Sequence, residues 1–494
     1  TGGAWRTFVA MSDGEQMKGQ VGEARRLAAK ERLTSLTVLV DLNGIQISGR
    51  TSDVMPVRVA DDFAADGWRV IEVPDGHDVA ALHAAVREAH SDESAPAAIV
   101  AYTVIGKGVS FMEGEAEFHG RGPKPAEYVA AMGELGLDPE ALGAARERRS
   151  RPCTVTHADV RAPRAACTPG APRTYTRDKD TDCRGAWGAA LADLAAGNPD
   201  TPMAVLDCDL AVSVKTDGFA SARPGGFVQC GVGEHNAAGV ASALSIAGVL
   251  TFHSDFGVFG IDEVYNQLRL ADINGASLKL ALTHCGLDVG EDGRTHQCLD
   301  HVSAFRNLYG WRVVVPADPN QADRVVRWAA GEPGCIAIAM GRSKVPVVLD
   351  AHGAPLFAGD APFRYGEVAW AREGVDACVL ALGQAAGAAC DAADALADAG
   401  LSVAVGAVSC PLALDDAAME RAVAPPLLVT VEDHNVRSGL GLSVAEWVAE
   451  HGCATRLVRL GVERYSGSAP ASELLAAAGL DADGIARAVA AGLA

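Results

Sequence analysis

The chain has 494 residues, 49% hydrophobic and 21% charged, a balance that excludes a solvated disordered tail and supplies apolar material for several cores. Its 42 basic and 63 acidic side chains leave a formal charge of −21 with no long block of one sign, which argues against a nucleic-acid partner but leaves room for a small basic pocket. The 12 Cys are scattered without a CxxC pair, and no apolar run approaches the roughly 20 residues of a bilayer span, so a reduced cytoplasmic protein with no membrane partner is expected.

The chain opens at Thr1, and residues 5–11 read as a buried strand, an abrupt start that suggests missing upstream sequence. Strand-like runs at 7–11, 37–42 and 97–104 alternate with helix-like runs at 19–30 and 78–89, which predicts a parallel α/β sheet over residues 1–140. Residues 141–181 carry seven Arg between Arg146 and Arg173 and four Pro between Pro152 and Pro172, lack apolar periodicity, and read as a linker. A second α/β series occupies 182–350, with apolar runs at 203–206, 247–251, 278–282, 313–315 and 336–340. A third, 359–494, holds runs at 377–382, 403–408 and 427–431 between Ala-rich helices. No short repeat period is visible, so three domains are expected.

Ser12-Asp13-Gly14 and Asn43-Gly44-Ile45 each close a strand-like run, at the carboxyl ends where open α/β sheets bind ligands. A carboxylate, an amide oxygen and a backbone carbonyl there suit a hard cation such as Mg²⁺, although both pairs also read as ordinary turns. Glu234 opens an Ala/Gly-rich helix after Gly233, as a helix-capping acid or as a buried functional carboxylate. Residues 290–297 (GEDGRTHQ) pack two acids, an Arg, a His and a Gln into a Gly-flanked loop, which suits a polyhydroxylated ligand or catalysis. A zinc site from His284, His296, His301 and Asp288 competes, but the spacing matches no closed ligand set. Arg342 follows another strand end, either as a phosphate-clamping guanidinium or a solvated loop side chain. Phe252, Phe256 and Phe259 read as core or as a cofactor shelf.

Taken in order, these segments resemble transketolase, a thiamine diphosphate enzyme, through nearly the whole chain. The resemblance rests on SDG…NGI at 12–45, TVIGKGVSFMEGEAEFHGRG at 103–122, GVGEHN at 231–236, GEDGRTHQ at 290–297, VVVPADP at 313–319, Gly341-Arg342, and TVEDHNVRSGLGLSVAE at 430–446. It implies three consecutive parallel-sheet α/β domains: a diphosphate-binding domain (1–140, N-terminally incomplete), a pyrimidine-binding domain (182–350) and a transketolase C-terminal domain (359–494). It further implies that Asp13, Asn43 and the Ile45 carbonyl hold Mg²⁺, or another divalent cation such as Ca²⁺, against the diphosphate. Gly14 would line that site, and Ile47 would pack under the thiazolium. Glu234 would hydrogen-bond the aminopyrimidine, and Phe256 with His253 would stack on it. Asp292, His296 and His119 would contact substrate, the two histidines at the reacting centre, and Arg342 would clamp a sugar phosphate.

The implied reaction is transfer of a two-carbon ketol unit from a ketose phosphate to an aldose phosphate, as in the pentose phosphate pathway, by a homodimer with active sites at the subunit interface. Two residues depart from the family pattern: Ser12 stands where a Gly is usual, and Lys18 where a Glu is common. The family's region ahead of the metal motif is absent, so a fragment or a separate N-terminal polypeptide is expected. Two alternatives keep the fold: a 1-deoxyxylulose-5-phosphate synthase or 2-oxo acid dehydrogenase chemistry, and an inactive truncated scaffold.

Overall fold

The computed structural model describes residues 5–140, 165–178, 181–359 and 362–494, so most of the expected linker, residues 141–164, lies outside the described residues. The chain divides into two compact units, Thr1–Asp159 and Val160–Ala494.

The first unit contains β1 (Thr7–Ser12), β2 (Leu36–Leu42), two short arms β3 (Ile45–Gln46) and β4 (Gly49–Arg50), β5 (Arg69–Val73) and β6 (Ala97–Tyr102). Four of these form a parallel sheet in the order β1-β2-β6-β5. Strand β6 reads AAIVAY because both its faces are covered. Ala98 and Val100 meet Ala28, Phe63 and Trp68 on one side, while Ile99 and Ala101 meet Ala85 and Ala89 on the other. The helix Val79–Ser91 starts where the Asp78 carboxylate accepts the Ala80 and Ala81 N–H groups. One expectation fails here: residues 5–11 are not buried, with Trp5 72%, Phe8 48% and Val9 37% exposed. The reason is position, since β1 pairs only with β2 and so lies at the sheet's margin.

The second unit contains a six-stranded parallel sheet built from β7 (Met203–Asp207), β8 (Phe227–Gln229), β9 (Leu250–Phe256), β10 (Lys279–Thr283), β11 (Trp311–Val314) and β12 (Cys335–Ala339). Its order is β11-β12-β10-β9-β7-β8, so the loops after β7, β9, β10 and β12 emerge side by side. The strand expected at 247–251 starts later, at Leu250, because Ala247 still donates to the Ala243 carbonyl and Gly248, at φ +91°, turns the chain out of the preceding helix.

A five-stranded sheet follows, from β13 (Val368–Arg372), β14 (Ala377–Leu382), β15 (Val403–Val408), β16 (Leu427–Asn435) and β17 (Arg456–Val462) in the order β13-β15-β14-β16-β17. Only its edge strand β13 runs antiparallel. One apolar cluster joins the two sheets, running from Leu268, Leu280 and Phe305 to Leu380, Val408 and Leu440. No helix among the described residues is long and apolar enough to cross a membrane.

Candidate active site

In the first unit, β1 and β2 are in register at Ser12 and Asp41, so the turns that begin at Asp13 and Asn43 leave the sheet side by side. Asp13 is buried, and its two carboxylate oxygens accept the Gly14 N–H (2.7 Å) and the Gly44 N–H (2.6 Å), which ties the turns together. Asn43 Oδ1 accepts the Ile45 N–H at 3.0 Å, across a Gly44 that sits at φ +72°. A Cβ on Gly14 would lie 2.5 Å from Gln46 Nε2, so backbone and side chain meet closely at this edge. The donors at these strand ends, a carboxylate, an amide and a buried Ile45 backbone, are all oxygens, which fits a hard cation and an anionic ligand. Ile47 lies beyond them, 77% exposed.

His119 is exposed on the short helix Glu117–Gly120. That helix is anchored by Arg121, which pairs with both Glu117 and Glu127 at 2.7 Å. A group not anticipated from the sequence is His77, whose Nε2 accepts the Val104 N–H at 2.8 Å and so joins the loops that follow β5 and β6.

In the second unit, Glu234 is the first residue of the helix Glu234–Ile246 and is 8% exposed, held where the helix dipole favours negative charge. The neighbouring strand β9 ends in Asp255 and Phe256. Phe256 stacks on Phe259 at 6.0 Å and lies 3.7 Å from the His284 ring, centroid to centroid. The π-helical segment Val258–Glu263 follows immediately and brings Phe259 back beside Phe256. His296 meets Phe259 edge-on at 5.6 Å. These rings form a half-buried aromatic shelf.

His253 does not belong to that shelf. It is fully buried, and strand alternation puts it on the face of β9 opposite Phe256. The place beside Phe256 falls instead to His284, a residue whose φ of +59° turns its ring onto the phenyl group. Burial, reinforced by Arg184 and Arg342, drives the His284 imidazole down to about 3, so it is neutral at pH 7.

Residues 290–297 and Arg342 also come together. Arg342 Nη1 donates to the Val289 carbonyl (3.0 Å) and to Glu291 (2.8 Å), and lies 3.9 Å from the exposed Asp292. Arg184 supports this corner from behind by donating to the Arg342 carbonyl at 2.7 Å. The zinc set His284, His296, His301 and Asp288 is not assembled. Among the described residues the metal-capable group that includes His301 contains Cys285 and Cys298. Asp288 accepts the Ser343 N–H at 2.9 Å instead, and burial pushes its carboxyl up to about 6.

The loop before residue 290 is fixed from the third sheet. Asp433, at the end of β16, accepts the Leu287 N–H (2.8 Å) and the Asp288 N–H (3.1 Å). Burial pushes its carboxyl up to about 7, against these donors and with the Asp288 charge adding to the rise. A raised folded-state pKa makes Asp433 favour folding below about pH 4 and lose that contribution as pH rises to about 7, at most about 4 kcal/mol for a shift of this size. Asp433→Asn is therefore expected to become relatively more stable than the native chain between pH 4 and 7. Melting temperatures of the two proteins across that range check this, and a constant difference would contradict it.

The first unit thus presents an oxygen-donor pair at its strand ends, and the second a buried acid at the start of a helix that packs against the strand ending in Phe256. Residues 4–149 match the family described as transketolase, thiamine diphosphate binding domain. Residues 179–347 match the transketolase pyrimidine binding domain, and 366–485 the transketolase C-terminal domain. Transketolase 2 of Xanthobacter flavus is 32% identical over 539 residues, covering 98% of this chain and 75% of that one. A putative transketolase C-terminal section from Methanocaldococcus jannaschii is 30% identical, over 62% of this chain and 94% of its own length. Transketolase from Leishmania mexicana shares the fold with a TM-score of 0.78 at 23% identity, across 99% of this chain and 76% of that chain. The chain belongs to the transketolase family.

Proposed function

We propose that the protein transfers a two-carbon ketol unit from a ketose phosphate to an aldose phosphate, with thiamine diphosphate and Mg²⁺ or Ca²⁺. The observation that carries this reading is Glu234, a carboxylate removed from water at a helix N-terminus, next to the end of the strand that supplies the Phe256 shelf. When bound, the cofactor supplies an electron sink for breaking and forming the carbon–carbon bond.

The protein's own groups do the rest. Glu234 holds a proton at the aminopyrimidine ring nitrogen, and the low-water setting keeps that proton shared rather than lost to solvent. Phe256 gives the pyrimidine an apolar face. Asp13, Asn43 and the Ile45 carbonyl hold the metal against the diphosphate, Gly14 lets the chain approach it, and Ile47 packs under the thiazolium. Asp292 and His296 bind substrate hydroxyls, and His119 and His296 serve the reacting centre. Arg342 takes the sugar phosphate, exchanging its Glu291 contact for a doubly charged partner. The reading includes a homodimer, with the diphosphate-binding unit of one copy completing the pyrimidine-binding unit of the other.

The test is ketose-dependent two-carbon transfer to an aldose phosphate by the chain loaded with thiamine diphosphate and Mg²⁺. Pyruvate decarboxylation without ketol transfer would overturn the reading in favour of a related thiamine diphosphate chemistry. Arg342→Ala is expected to raise KM for phosphorylated acceptors on the order of 10- to 100-fold while leaving kcat nearly unchanged, because it removes binding common to ground and transition states. Steady-state kinetics with phosphorylated and unphosphorylated acceptors measure this, and an equal effect on both would contradict a phosphate clamp.

A further inference from the structure

We propose that Cys208, His253 and Asp255 form a buried binding site for a borderline-soft divalent cation, of which Zn²⁺ is the natural occupant. The site lies in the second unit and uses none of the residues of the oxygen-donor site at Asp13 and Asn43. In sheet register Leu206 pairs with His253 and Asp207 with Ser254, so Cys208 follows β7 at the level of Asp255 on the adjacent strand. His253 and Asp255 share one face of β9. One ligand atom from each of the three residues lies within 4.8 Å of the others, and all three residues are buried.

A second observation points to an ion. His253 Nε2 and Asp255 Oδ2 are both buried, 4.0 Å apart, and neither has a hydrogen-bond partner. Two adjacent orphaned acceptors are unusual in a protein interior, where polar atoms are nearly always satisfied. Their remaining atoms are committed in the manner of metal ligands. His253 Nδ1 is 3.2 Å from the Leu206 carbonyl, which places its proton there and the lone pair on Nε2. Asp255 Oδ1 accepts the Phe256 N–H at 2.8 Å. No Lys or Arg pairs with Asp255 among the described residues, and a divalent cation, displacing the thiol and carboxyl protons as it binds, would give both side chains a partner. Sulfur, imidazole and carboxylate together select zinc over magnesium, and three protein ligands leave a fourth position for water.

The group Cys285, Cys298 and His301 lies equally close together but contains no orphaned nitrogen or oxygen. It therefore lacks the feature that marks the first site.

The test is metal content and Co²⁺ substitution of the intact, reduced protein, without reference to its catalysis. About one Zn²⁺ per chain is expected to survive gel filtration, and Co²⁺ in its place should show thiolate-to-metal charge-transfer absorption. Cys208→Ala should abolish that absorption and weaken zinc binding on the order of 100-fold or more, whereas Cys378→Ala, in the third sheet, should leave both intact. Should Cys208→Ala fold poorly, Asp255→Asn gives a second arm: added Zn²⁺ should raise the melting temperature of the native chain but not of this variant. Absence of bound metal, a Co²⁺ spectrum without charge transfer, or charge transfer that persists in Cys208→Ala would each overturn the proposal.

Discussion

Glu234→Gln is expected to lower ketol transfer on the order of 10³-fold while leaving the protein folded, because the amide keeps the size of the carboxyl group but cannot take up a shared proton. The side chain is 8% exposed at the first residue of the helix Glu234–Ile246, so the substitution removes a negative charge from the dipole's positive end without opening a cavity. Asp255 lies close by, and burial, reinforced by the charges of Glu234 and Asp207, drives its carboxyl well up. With Asp255 held toward its neutral form, little repulsion is lost and only the modest dipole contribution goes, so the variant should stay folded and melt close to the native protein. Rates with saturating thiamine diphosphate and Mg²⁺, read beside melting temperatures, separate the two effects. Activity within tenfold of native would remove Glu234 from the mechanism.

The largest structural effect is expected at Gly286. Its φ of +82° and ψ of −168° fall in a region that glycine alone tolerates, and a Cβ there would stand 2.1 Å from Asp433 Oδ2. Gly286→Ala must therefore strain the backbone and displace the carboxylate that receives the Leu287 and Asp288 N–H groups, costing about 4 kcal/mol in all. Gly400→Ala is the comparison: φ is similar at +86°, nothing lies within 4 Å of the added methyl, and the cost should be about 1 kcal/mol. Denaturant midpoints measure both. Equal losses would mean that the Gly286–Asp433 contact contributes nothing. Because the same turn leads into residues 290–297, ketol transfer should fall with stability in the Gly286 variant alone.

Strands with continuous apolar runs were readable from the sequence because both their faces are covered, as in Ala377–Leu382 and Lys279–Thr283. Several edge strands were not. Phe227–Gln229 is too short to show a period, and Arg456–Val462 is half-exposed and interrupted by Arg459. Conversely, the apolar run near the start looked buried and is exposed, since composition cannot tell a margin from a centre. The places of Asp13 and Asn43 after strands, and of Glu234 at a helix start, were legible because glycines punctuate the chain beside each of them. His253 was misplaced beside Phe256 because the three-residue offset was read without strand alternation. The tie between Gly286 and Asp433 joins residues far apart in sequence, and the approach of Cys208 to Asp255 follows from a strand pairing; neither had a local signature.

Calorimetric titration of the protein with thiamine diphosphate, in the presence and absence of Mg²⁺, tests the central claim most directly. Saturable binding at micromolar concentration or tighter, about −8 kcal/mol, that requires the divalent cation and weakens in Asp13→Ala is the predicted result. No heat of binding up to millimolar cofactor, or binding indifferent to both Mg²⁺ and Asp13, would contradict the account.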